Sequence, residues 1–123
     1  MKISEDQALP PQLPGIDLAE TMERTGISAE MLRPILRKFA VKNRERGAEM
    51  AALLSKGDLQ GLTMAAHRLK GASANIGATA LPQACLAVER AIAQGKDGKE
   101  IQGLLHELAG ALAVLLNSLA ALQ

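Results

Sequence analysis

Apolar residues in this chain recur at three- and four-residue steps and nowhere alternate strictly, a pattern that predicts helices and no strands. The last stretch shows it best: Ile101, Leu104, Leu105, Leu108, Leu112, Leu115, Leu119 and Leu122 form one stripe, while His106, Glu107, Asn117 and Ser118 fall on other faces. The predicted helix runs from about Lys99 to Leu122, after a turn at "GKDG". Upstream, Asp58 stands as N-cap of a helix to about Ile76, closed by Gly77 as a C′ glycine. Thr79 is placed to cap the next helix, with Pro82 in its first turn and its end near Gln94. Ser28 opens a long helix to about Ser55, in which Pro34 is expected to introduce a kink or delay the regular start. A short helix from Asp17 to Arg24, closed by Thr25 and Gly26, precedes it.

Short connections between long helices favour antiparallel neighbours, so the expected fold is all-α. It is an up-and-down antiparallel four-helix bundle with a short extra N-terminal helix. Residues 1–14, with Pro10, Pro11 and Pro14, read as a flexible tail or interdomain linker, and residues 15–123 as the bundle domain.

Composition narrows the function classes. At 123 residues there is room for about one domain, and with 48% hydrophobic residues but only Phe39 aromatic, the core must be aliphatic. Fourteen basic against thirteen acidic residues leave a formal charge of +1, which gives no reason to expect a nucleic-acid or membrane partner. Leu104 to Leu122 is long enough for a membrane span, yet polar residues on its other faces would each cost about 2 to 3 kcal/mol in lipid. The single Cys85 excludes an internal disulfide, and the first residues lack the apolar region of a signal peptide. A cytoplasmic location is therefore expected.

The chemistry concentrates in "AAHRLKGASANIGA", residues 65–78. Advanced by about 100° per residue, Leu59, Leu62, Ala65, Ala66, Leu69, Ala72 and Ile76 define a buried face. His67 falls on the opposite face, with Thr63, Met64, Lys70, Gly71 and Ala74. Residues three and four apart share a surface patch, so Lys70 and Gly71 flank the imidazole. A glycine inside a helix costs roughly 1 kcal/mol relative to alanine, and its placement one turn from an exposed histidine suggests a surface that something approaches closely. A neutral imidazole nitrogen is nucleophilic near neutral pH, and Lys70 supplies a point charge suited to phosphate oxygens. These residues together predict a histidine that carries a phosphoryl group on an accessible helix face.

"HRLKGASANIGA" also resembles the signature of the histidine-containing phosphotransfer (HPt) family, H-x-L-K-G-x-[small]-x-x-[apolar]-G. "LPGIDLAETMERTG", "ILRKFA" and "LSKGDLQGL" are similar to that family too, so the resemblance covers about Leu13 through Ile92. It implies a phosphorelay module in which His67 accepts phosphate from a receiver-domain aspartyl phosphate and passes it to another receiver aspartate. By the same resemblance Lys70 would steady the phosphohistidine, Gly71 would leave room for the docking receiver, and Ser73 and Gly77 match positions kept small. A position that sometimes carries glutamine corresponds to Glu89, which either accepts a hydrogen bond from the imidazole or is merely solvated.

The partners implied are response-regulator receiver domains, with a hybrid sensor histidine kinase on the same or another chain. No P-loop, kinase glycine box or acidic Mg²⁺-holding cluster is present in the sequence, so no cofactor of its own is expected. Mg²⁺ and the acceptor carboxylate are expected from the receiver, and the protein reads as a phosphoryl carrier, not an enzyme. Alternatives are the phosphorylatable domain of a chemotaxis-type histidine kinase and a cofactor-binding bundle. The latter lacks any Glu-x-x-His pair. His106 reads as solvated, Cys85 as a small core residue, and the basic run from Arg33 to Arg46 as a solvated face that could also attract an acidic receiver surface.

Overall fold

The computed structural model describes Leu9 and residues 13–122. Among them are six α-helices and no strand: α1 (Leu18–Thr25), α2 (Ala29–Lys42), α3 (Arg46–Ser55), α4 (Leu59–Asn75), α5 (Ala80–Ala93) and α6 (Gly98–Leu119), followed by a 3₁₀ turn, Ala120–Leu122. Four helices close a ring, in which α4 packs on α5, α5 on α6, and α3 on both α6 and α4. α2 extends this ring by packing against α6 and the 3₁₀ turn. The fold of the described residues is thus all-helical, with an almost wholly aliphatic core built on Leu36, Leu62, Leu108, Leu119 and their neighbours, and Phe39 as its one aromatic.

Local chemistry sets most helix ends. The carboxylates of Asp17, Asp58 and Asp97 accept from the backbone N–H groups of Glu20, Gly61 and Glu100, and Ser28 Oγ accepts from Met31 N–H. Each satisfies one of the donors that a helix start leaves without a partner. α4 ends as the C′ glycine requires: Gly77 has φ +83°, Ala78 N–H donates to the Ser73 carbonyl at 3.0 Å, and Gly77 N–H donates to the Ala74 carbonyl at 3.0 Å. Thr79 differs from expectation. It occupies the N-cap position of α5 without a capping bond, and its N–H donates instead to the Gly15 carbonyl at 3.0 Å.

The expected single helix from Ser28 to Ser55 is two helices. It runs unbroken through Pro34 and stops at Asn43, nine residues later. Asn43 is buried, its Nδ2 donates to the Phe39 carbonyl at 3.0 Å, and its Oδ1 accepts from Arg46 Nε at 3.2 Å. An asparagine side chain that bonds the backbone of its own helix competes with helix propagation, and here the result is an elbow. α3 then leaves in a direction that brings it against α4.

On the N-terminal side of α1, Leu13 is buried in the core and Leu9 packs against it, while the Pro14 carbonyl accepts from Ser118 Oγ at 3.0 Å. The other residues of the expected tail, 1–8 and 10–12, lie outside the described residues. α1 seals the end of α4: Asp17 N–H donates to the Gly77 carbonyl at 2.9 Å, and Thr21 is fully buried. By length and composition α6 could cross a membrane. Its Ile101, Leu105, Leu108, Leu112, Leu115 and Leu119 nevertheless form one buried stripe in the core.

Candidate functional site

Helix α4 owes its face to the spacing of small and polar residues. Leu62, Ala66, Leu69 and Ser73 are buried toward the ring, and His67, one step off that row, leaves its side chain 72% exposed. Leu59 and Ala72, expected on the buried face, are exposed. They lie at the two edges of the apolar arc, where no neighbouring helix covers them.

Across from His67 stands Glu89, in the third turn of α5, on the packed side of that helix where Cys85 and Val88 are fully buried. Its side chain is only 13% exposed, and its carboxylate serves two partners: His67 Nδ1 lies 2.9 Å from Oε1, and Lys70 Nζ lies 2.5 Å from Oε2. An ionised carboxylate can only accept, so the proton of the neutral ring sits on Nδ1. Nε2 is then the atom with the free lone pair, on the exposed side of the ring. Lys70, half-buried, neutralises the carboxylate that holds the imidazole. Below them, the Cys85 thiol is pushed up to about 12, first by burial and then by Glu89, with Lys70 acting in the opposite direction. It stays protonated and unreactive at neutral pH.

Around the ring the surface is low. A Cβ added at Gly71 would meet nothing within 4 Å. Ala74 is exposed, Met64 is 48% exposed, and Thr63 is half-buried with its hydroxyl donating to the Leu59 carbonyl at 2.9 Å. Thus His67, Lys70, Gly71, Ala74, Met64, Thr63 and Glu89 converge on one patch. Ser73 and Gly77 do not join it. Ser73 is buried, its Oγ donating to the Lys70 carbonyl at 3.1 Å, and Gly77 is buried at the far end of α4, where a Cβ would collide with Thr21 Oγ1. Their smallness serves packing.

The sequence pattern left Glu89 with two possible roles; the packing of α5 against α4 gives it the hydrogen bond to the imidazole. It also ties down Lys70, which the sequence suggested only as a partner for phosphate. Among the described residues no group of three or more His, Cys, Asp or Glu side chains is placed to hold a metal ion. His106 lies on α6, beside a groove lined by Gly47, Ala51 and Leu54 of α3, with no charged group among the lining residues.

A family model for the Hpt domain matches residues 34–117, from the middle of α2 to the last turns of α6. No curated protein and no solved structure matches the chain.

Proposed function

Because the chain belongs to the Hpt domain family, whose members are phosphocarrier modules of histidine phosphorelays that work with response-regulator receiver domains, we propose that His67 is its phosphoryl-carrying residue. The observation that carries this reading is the Glu89 carboxylate on Nδ1, which leaves Nε2 exposed as the nucleophile. In the forward step the Nε2 lone pair attacks phosphorus of a receiver aspartyl phosphate. The P–O bond to the aspartate breaks, its electron pair leaves with the receiver carboxylate, and the ring becomes a phosphoimidazolium still donating Nδ1–H to Glu89. The positive charge that develops on the ring is met by that carboxylate. Lys70 is within reach of both Glu89 and the incoming phosphoryl oxygens, so it moves from one toward the other as the phosphate arrives. The reverse sequence delivers the group to a second receiver aspartate.

Phosphoryl transfer depends on positioning and charge neutralisation. In this reading the receiver supplies Mg²⁺ and the acceptor carboxylate, and the carrier supplies an oriented ring on an unobstructed face. The ring of α3, α4, α5 and α6 is read as an up-and-down antiparallel four-helix bundle, with α2 as an extension of its first arm and α1 as the short extra helix. We assign residues 15–123, with Leu13 and Pro14, to this domain, and place it in the cytoplasm without membrane contact.

The test is transfer from a phosphorylated receiver. Label should appear on the protein, resist base, be released by acid, and vanish in His67→Gln. Label that persists in His67→Gln would refute the assignment.

A further inference from the structure

An open cavity of about 420 Å³ lies at the α2–α3 elbow, beside the His67 face. Its floor is Leu53, Ala65 and Leu69, and its rim carries Lys42, Arg46 and Arg68 against a single carboxylate, Glu49. That carboxylate is already paired: Arg46 Nη1 donates to Glu49 Oε2 at 2.9 Å, and Arg46 Nε donates to Asn43 Oδ1 at 3.2 Å. Arg46 is therefore held in place by the same asparagine that makes the elbow. Lys42 and Arg68 are exposed, and among the described residues neither has a hydrogen bond or ion pair. Two uncompensated cations at the mouth of a concave, partly apolar surface focus positive potential there.

The cavity adjoins the phosphotransfer face on one helix. Arg68 follows His67 directly, and Met64, half-exposed one turn before, lines the cavity. A standard interface covers about 800 Å² per partner, so a domain centred on His67 and passing over Gly71 also overlies this cavity.

We infer that the elbow cavity is a second anchor for the docking receiver, accepting an acidic side chain of that partner between Lys42 and Arg68. This deepens the reading of His67 as phosphoryl carrier and depends on it. The cavity touches no reacting atom. It sets which receiver docks and how fast, because complementary charge raises encounter rates more than it changes chemistry.

The experiment compares wild type with Lys42→Glu/Arg68→Glu. The phosphodonors are a receiver domain that phosphorylates the wild type, and phosphoramidate, which is too small to span the two sites. With the receiver, kcat/KM at low salt should fall at least tenfold in the double variant, and the steep decline with added salt seen in wild type should flatten. Arg68→Lys should restore most of the rate. With phosphoramidate, both proteins should be labelled at equal rates. An unchanged rate and salt slope with the receiver overturns the inference. So does a variant that loses binding of inorganic phosphate while transfer stays at the wild-type rate, since the cavity would then be a free-anion site. Failure of phosphoramidate to label His67 in the wild type overturns the carrier assignment itself, a result distinct from either.

Discussion

One carboxylate, Glu89, holds both the imidazole and the ammonium of the site, so the orientation of the His67 ring is set by a residue on another helix. Hydrogen bonds to charged groups contribute about 1.5 to 3 kcal/mol. Glu89→Ala should therefore slow phosphorylation of His67 about 10- to 100-fold, read as the initial rate of labelling, and Glu89→Gln should fall between, since its carbonyl still accepts from Nδ1–H but carries no charge. Gly71 separates fold from function. Because a Cβ there meets nothing, Gly71→Ala should raise stability by about 0.5 to 1 kcal/mol in chemical denaturation, while Gly71→Leu should cut transfer from a receiver tenfold or more with the fold intact. Cys85 gives a pH signature. Its folded-state value, about 12, is above the ordinary 9.0, so the unfolded chain releases the thiol proton first as pH rises. The stabilisation is complete below about pH 9 and is lost toward pH 12. The melting temperature of wild type should drop more steeply across that window than that of Cys85→Ala. The placement of His67, Lys70 and Gly71 on one side of α4 was legible in the sequence because it follows from helical period alone. The bridging role of Glu89 was not, since a contact 19 and 22 residues distant in sequence is created by the packing of α5 on α4.

At the scale of elements, capping chemistry is local and could be read directly: Asp17, Ser28 and Asp58 stand where their side chains accept from helix starts. The break between α2 and α3 was less visible. Pro34 is the stronger breaker by propensity, yet α2 runs through it unbroken in its second turn. Asn43 is an ordinary polar residue until burial forces its side chain to bond the Phe39 carbonyl. Asn43→Ala removes that bond and the one to Arg46, and should destabilise the protein by about 1 to 2 kcal/mol in chemical denaturation. If α2 and α3 instead merged without loss of stability, the elbow would owe nothing to Asn43. The covered part of the α4 apolar arc is narrower than the helical period suggests, for the same kind of reason. Leu59 and Ala72 fit the helical period, but which part of an arc is covered depends on where neighbouring helices end, and α3 leaves an open cavity beside α4 at Ala72.

Over the whole molecule, a ring of aliphatic helices presents α4 so that one face locks into the core and the other leaves His67 exposed. The formal charge of +1 says little about that surface, because the cations that matter gather at the elbow while Glu89 is spent inside the site. Fold class and the phosphotransfer resemblance were visible in the sequence, since both depend on periodicity and a short contiguous motif. The cavity was not, because it joins three helices that the sequence presents separately. The most direct measurement of the central claim is nitrogen and phosphorus NMR of the imidazole after phosphorylation by phosphoramidate or a receiver. The phosphoryl group should be found on Nε2 of His67, with the Nδ1 proton still present and shifted by its bond to Glu89. Phosphorus on Nδ1, or on His106, would contradict the account.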